Sequence, residues 1–235
     1  MTLTNDQIEK LKLYCLQPQM ALKEMLDDEL QTMGREVINE DGFIYSPGSH
    51  PVLLIAHTDT VHKELPTDIY IDTSDPDSPQ GDLRSEHGVG GDDRAGCLII
   101  MELIKTLDCH VLFCEDEEIH RVGAGKFCKT DIRPDVQFIV EFDRRDRDHA
   151  VFYGCHNEGF IKFVTSFGYI EEVGSYSDIS DIAPHLDIAA VNLSTGYYNA
   201  HRPYEYIRIH EVGEIIEQAI PLITDVSKRF TYENK

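Results

Sequence analysis

The chain has 235 residues, 41% of them hydrophobic, and carries 43 Asp and Glu against 21 Lys and Arg for a formal net charge of −22. That length is ample for one α/β domain, the apolar content excludes a disordered chain, and the acid excess disfavours nucleic acid and anionic membranes as partners. The longest apolar runs, Pro51–Ala56 and Cys97–Met101, are far too short to span a bilayer. The segment MTLTNDQIEKLKLYCLQ is polar and helix-periodic and lacks the pattern of a secretory signal, so a cytoplasmic location is expected. Six cysteines, at 15, 97, 109, 114, 128 and 155, form no C-x-x-C pair. They read as reduced core thiols rather than a zinc knuckle or a redox pair.

In chain order, residues 5–16 and 20–33 are predicted as two surface helices. Ile8, Leu11 and Cys15, then Leu22, Met25, Leu26 and Leu30, fall at helical spacing. DGFIYSPGSHP (41–51) offers a short strand and a turn. VLLIA (52–56) is a continuous apolar run, as in a strand covered on both faces. A loop rich in Asp, Ser, Pro and Gly covers 72–92, with a short strand at 68–72 before it. A helix starts near Asp93 and runs to about Leu107. HVLFC (110–114) is a buried strand, a short helix follows near 123–129, and DVQFIVEF (135–142) is another strand. Strands are predicted at 150–153 and 160–167, a helix near 178–185, a strand at 187–193 and a last helix over about 211–229, with Pro221 placed to bend it. Strands alternating with helices predict an α/β three-layer sandwich, a mostly parallel central sheet with helices on both faces. Functional residues of such sheets gather beyond the carboxyl ends of the strands.

Four segments end a predicted strand with imidazole or carboxylate groups: LLIAHTD with His57 and Asp59, LFCEDEEIH with Glu117 and Glu118, FIVEFD with Asp143, and LSTGYYNAHRPYE with His201. Between the first two lies GVGGDDRAGC (88–97), whose glycines permit a tight turn and whose Asp92 and Asp93 open a helix. Each piece alone has a plain structural reading. H-x-D is common by chance, EDEE suits a solvated acidic loop, DD after glycines suits a helix cap, and Asp143 would pair with Arg144 or Arg145. Together, at equivalent ends of successive parallel strands, they form a ligand set suited to zinc or another first-row metal. Five ligands exceed one tetrahedral ion with an open position and fit two ions sharing a carboxylate.

On these motifs, HTDTVH (57–62), GGDDRAG (90–96), DEEI followed by VGA (116–124), FD (142–143) and NAHRPYE (199–205), the sequence resembles the zinc-dependent exopeptidase superfamily. That superfamily comprises co-catalytic di-zinc aminopeptidases, carboxypeptidases and peptidase T-like enzymes. SDISDIAP (177–184) is similar to the segment before the last histidine in the aminopeptidase branch. The resemblance implies that His57 and Asp143 bind one zinc, that Glu118 and His201 bind the other, and that Asp92 bridges them. It implies that Asp59 hydrogen-bonds the other ring nitrogen of His57, that Glu117 is the general base, and that the peptide after the bridging acid is cis. Glu141, which shares strand parity with Asp143, is the alternative for that ligand. Relatives are often dimers or larger assemblies, so a homo-oligomer is within the expectation.

The stretch between Asp143 and His201 is too short for an inserted lid or dimerisation domain of roughly a hundred residues. A single catalytic domain over 1–235 is therefore expected. The reaction implied is hydrolysis of a peptide or amide bond supported by two Zn2+, with Co2+ or Mn2+ as substitutes. An aminopeptidase acting on short peptides leads. Carboxypeptidase or dipeptidase action, or deacylation of an N-acyl amino acid, is the alternative, with Arg94, Arg144, Arg145 and Arg202 as candidate carboxylate binders. A catalytically silent binding domain is the second alternative. Tyr197 and Tyr198 are the candidate oxyanion donors.

Overall fold

The alternation in VLLIA is resolved by two cores. In the computed structural model, which describes residues 2–234, this segment lies in β3 (His50–His57). Val52, Leu54 and Ala56 pack into one hydrophobic cluster and Leu53 and Ile55 into another. A strand with helices on both faces has no side on which a polar residue is cheap. Each fully buried Leu or Ile contributes about 1.5–3 kcal/mol.

The neighbours of β3 are β6 (Cys109–Cys114) and β7 (Phe138–Arg144), both parallel to it, and β10 (Ala190–Ser194) runs parallel to β7. With β1 (Ile38–Glu40), β2 (Phe43–Ser46), β8 (His149–Val151) and β9 (Ile170–Glu172), these form an eight-stranded mixed sheet of order β1-β2-β6-β3-β7-β10-β8-β9. A separate antiparallel sheet joins β4 (Tyr70–Asp72), β5 (Asp82–Arg84), β11 (Tyr197–Tyr198) and β12 (Tyr206–Arg208). Residues of α1 (Asn5–Cys15), α2 (Gln19–Thr32), α3 (Gly91–Leu103), α5 (Glu158–Thr165) and α7 (Ile209–Thr224) belong to the larger cluster. Those of α4 (Val122–Phe127) and α6 (Ile179–Leu186) belong to the other. This is the expected α/β three-layer sandwich with a mostly parallel sheet.

Two sequence expectations need correction. The segment 160–167 is helix α5, not a strand. Asn157 caps it by accepting a hydrogen bond from the Phe160 amide, and Phe160 and Val164, four apart, form its buried face. Its run of β-branched and aromatic residues obeys a helical period that a short apolar window conceals. The last helix ends at Thr224 rather than near 229. The chain leaves it to seat Phe230 against Phe160 and Phe163, with both ring centroids 5.1 Å away. The Phe230 amide donates to Gln137 O, and its carbonyl accepts from the Ala189 amide. Strands β1, β5, β9, β11 and β12 were not anticipated.

Successive crossovers from β3 through α3 to β6, and from β6 through α4 to β7, place β6 and β7 on opposite sides of β3. Ligand crevices form at such reversals in open α/β sheets, outside the carboxyl ends of the strands. His57 is the last residue of β3, Asp143 is the penultimate residue of β7, and the EDEE segment follows β6. The same end of β10 leads through β11 to His201.

Candidate metal centre

His57 is buried, and both ring nitrogens face acids. Its Nδ1 lies 3.1 Å from Asp59 Oδ1, and its Nε2 lies 3.1 Å from Asp92 Oδ1 and 3.2 Å from Asp143 Oδ1. The other oxygen of Asp92 lies 3.1 Å from His201 Nε2, which is 3.0 Å from Glu118 Oε1. Two groups able to hold a metal ion therefore share Asp92: His57, Asp92 and Asp143, and Asp92, Glu118 and His201. A further such group comprises His57, Glu117 and Glu118. Glu141 enters none of these groups. Its buried carboxylate accepts a hydrogen bond from the Ser177 hydroxyl.

Asp92 reaches this position because α3 opens irregularly. Gly90 precedes it at φ +66°, in the left-handed region where glycine carries no Cβ penalty, and the Asp92–Asp93 peptide is cis. Gly96 allows the helix to approach β7, since a Cβ there would stand 2.0 Å from Phe142 O. Asp93 points elsewhere, accepting from the amides of His57 and Gly96. Asp59 accepts from the amides of Glu117 (2.9 Å) and Glu118 (3.0 Å) as well as facing His57. One carboxylate thus orients the histidine and the loop that carries both glutamates.

Glu205 was quoted within a motif but given no role by sequence reasoning. Its buried carboxylate accepts from the amides of Gly90 (2.9 Å) and Asp92 (3.1 Å) and pairs with His62 at 2.6 Å. It ties the loop after His201 to the turn that presents Asp92. The only sequence signal was its place four residues beyond His201. Asp178 was also missed. It is fully buried near Asp143, and burial pushes its carboxyl up to about 7.

Crowded acids in a buried site shift one another. Burial, reinforced by Asp143, Asp178 and Glu118 against the pull of His57, raises Glu117 to about 9. Burial likewise raises Asp143 to about 7, with His57 opposing. Hydrogen bonding to Asp92 and the nearby Glu118 carboxylate raise His201 to about 10. Burial disfavours charge on Asp92, but its contacts with His201 and His57 hold its carboxyl below the usual range. Perturbations of this kind, converging in one cleft, mark functional sites.

Asp92, Glu117, Glu118, Asp143 and His201 line a cavity of about 270 Å³, together with Arg144, Arg145, Tyr153, Ser175, Tyr176, Tyr197 and Ala200. The other two arginines named from sequence are elsewhere. Arg94 is buried, and its guanidinium donates to the carbonyls of Asp59 and Gln17, while Arg202 is exposed and does not line the cavity. Tyr198 donates to Glu211, and the Tyr197 hydroxyl donates to the Asp143 carbonyl, so both hydroxyls are already engaged.

Among solved structures, aminopeptidase PepT from Bacillus cereus is similar with a TM-score of 0.74 at 14% identity, over 94% of this chain and 98% of that one. A Zn-dependent exopeptidase from Parabacteroides distasonis gives 0.63 at 14%, over 94% and 96%. The chain has the fold of the zinc-dependent exopeptidases. The exopeptidase fold also hosts other chemistry, since the glutaminyl cyclase of Tannerella forsythia is similar with a TM-score of 0.64 at 15% identity, over 94% and 96%. No family model and no curated protein matches the sequence. Within this exopeptidase fold, Asp92, Glu117, Glu118, Asp143 and His201 line one cavity, the buried His57 faces Asp92 and Asp143, and Asp59 accepts from the Glu117 and Glu118 amides. No helix among the described residues is long and apolar enough to cross a membrane.

Proposed function

We propose that the chain is a metal-dependent aminopeptidase acting on short peptides, with residues 1–235 forming one catalytic domain without an inserted lid. In this reading His57 and Asp143 hold one zinc ion, Glu118 and His201 hold a second, and Asp92 serves both. The carrying observation is Asp92, which turns one oxygen to each histidine.

The donor set fits such ions. Donor atoms bound ~2.0–2.2 Å from one tetrahedral zinc stand about 3.3–3.5 Å apart. The nitrogen–oxygen separations in the two groups that share Asp92 are 3.0–3.2 Å. Glu118 Oε1 is buried without a hydrogen-bond partner despite its nearness to His201 Nε2. An oxygen and a nitrogen aimed at each other without bonding geometry suit two ligands of a common cation. Bound there, the ions would activate a water and polarise the scissile carbonyl.

Glu117 has the position for general-base work. It lines the cavity beside Glu118, where its carboxylate would take the proton of the attacking water and pass it to the departing amine. Asp59 fixes Glu117 through its amide and fixes His57 through Nδ1, which settles the imidazole tautomer.

The test is a mixed peptide library with N-blocked, C-blocked and N-terminal glutamine members, incubated with metal-reconstituted protein beside a chelated control and followed by mass. Loss of single residues from free N-termini, stopped by blocking and by chelation, is expected. Trimming from the C-terminus would move the assignment to a carboxypeptidase, and loss of ammonia from the glutamine peptides would move it to a cyclase. Absence of both cleavage and bound metal would overturn the site.

A further inference from the structure

We propose that Arg144 is an anchor for a carboxylate of the substrate, which makes this site selective for very short peptides bearing one. The proposal rests on the peptidase reading above and adds a substrate class to it.

The cavity has an acidic side and a cationic side. Asp92, Glu117, Glu118 and Asp143 belong to the former. Toward β8 and β9 the lining changes to Arg144, Arg145, Tyr153, Ser175 and Tyr176. Arg35, Arg84, Arg121, Arg147, Arg208 and Arg229 each pair with a carboxylate at 2.7–2.9 Å. Arg94, Arg133, Arg144 and Arg202 have no such pair among the described residues, and of these four only Arg144 lines the cavity. Its hydrogen bond is a long one, 3.4 Å from Nη2 to Val173 O, and its Nε is buried without a partner. A guanidinium offers five N–H groups in a planar fork that fits a carboxylate through two parallel bonds. Arg145 is exposed and pairs with Asp146 at 3.4 Å, which places it at the rim.

The main chain of Arg144 is fixed. Its carbonyl accepts from the Thr195 amide at 2.7 Å and the Thr195 hydroxyl at 3.3 Å. Arg144 and Asp143 line the same cavity, so a carboxylate on the fork and a carbonyl at the acid cluster share one small space. At about 270 Å³ it lies just below the ~300–1,000 Å³ typical of ligand pockets. Both observations favour a dipeptide or tripeptide. The recognised carboxylate is either the peptide's C-terminus or an acidic side chain, and the two are separable by experiment.

The experiment uses the metal-loaded full chain with Ala-Ala, Ala-Ala-amide and Ala-Asp-amide, and reads kcat and KM separately. Charge-assisted hydrogen bonds of this type correspond to roughly a 10–100-fold preference. Ala-Ala is expected to exceed Ala-Ala-amide by that factor in kcat/KM, mostly through KM, as for binding felt equally before and in the transition state. Arg144→Ala should bring the ratio to about 1, and Arg144→Lys should restore part of it. Calorimetry with Glu117→Gln protein should show the same drop in Ala-Ala affinity when Arg144→Ala is added. If only Ala-Ala is preferred over Ala-Ala-amide, the anchor reads the C-terminus; if only Ala-Asp-amide is, it reads an acidic side chain. Equal cleavage of all three by the unmodified protein would overturn the anchor while leaving the peptidase reading intact. No cleavage, with Ala-Ala still bound better than its amide through Arg144, would overturn hydrolysis and leave the anchor. A ratio unmoved by Arg144→Ala, with only a lower melting temperature, would reduce Arg144 to a staple for the Val173 loop.

Discussion

Asp59→Asn isolates the support beneath the site. The carboxylate receives the Glu117 amide at Oδ1 and the Glu118 amide at Oδ2, with His57 Nδ1 also at Oδ1. An asparagine has one acceptor oxygen. Placed at Oδ1, it keeps His57 and Glu117 but turns its NH2 group toward the Glu118 N–H, so two buried donors face each other. The reverse placement sets the NH2 against His57 and Glu117. Leaving a buried donor unsatisfied costs about 1–3 kcal/mol. For a chain of this length each kcal/mol shifts Tm by about 2–4 °C, so the metal-free variant should melt roughly 2–12 °C lower. Loss of the histidine's carboxylate partner should also weaken metal binding about 10–100-fold. Thermal melts of chelated protein and a competition titration with a chromophoric chelator read the two effects separately. A variant that melts within 1 °C of the parent (a shift below ~0.5 kcal/mol) and binds metal within twofold would refute the argument that Asp59 organises both His57 and the glutamate loop.

Further outcomes follow from the same geometry. Glu117→Gln should lower kcat about 10²–10⁴-fold while metal content holds, and residual activity near the parent value would remove Glu117 as the base. His201→Ala should lose one of two metal equivalents by atomic absorption, because His201 belongs to only one of the two groups that share Asp92; unchanged stoichiometry would refute its role. Arg94→Ala should lower stability by about 1–3 kcal/mol for each buried carbonyl it leaves unpaired, whereas a normal melt with raised KM would return Arg94 to substrate binding. In metal-free protein, Asp143 and Asp178 at about 7, Glu117 at about 9 and His201 at about 10 all hold protons more tightly than in the unfolded chain. Stability from these groups is full below their ordinary values and is lost as pH rises through the shifted ones. Asp59 and Asp92 shift the other way, and their contribution is lost only in acid, below the ordinary carboxylate range. The Tm of chelated protein should therefore fall between about pH 6 and pH 9 and fall less when metal is bound; a rising Tm would contradict the shifts.

His57, Glu117, Glu118, Asp143 and His201 were legible because each lies beyond an apolar run, and parallel strands bring equivalent ends together; Asp92 was legible from the glycine turn before its helix. Asp59 was legible for a local reason, two residues from the histidine it supports. Glu205 was not, because it acts on the backbone amides of Gly90 and Asp92 across more than a hundred residues of chain, and no local pattern encodes that. Arg94 was misplaced because charge in a sequence suggests a surface, whereas this guanidinium serves two buried carbonyls. In α5 a local β-preference misled, and packing of Phe160 and Val164 decided the helix. Strands β11 and β12, of two and three residues, are too short to show any period.

The partners in the cluster lie far apart along the chain. Asp143 is 86 residues from His57, and His201 is 109 from Asp92. An unfolded chain therefore offers only local fragments of the ligand set, and a cation that binds here binds the finished fold more tightly than the unfolded chain. Its affinity is added to the free energy of folding by mass action, about 2.7 kcal/mol at a hundredfold excess over Kd. The cell's metal supply would then govern how much of this protein survives proteolysis as well as how fast it turns over, and nutrient scarcity would register first as a loss of abundance.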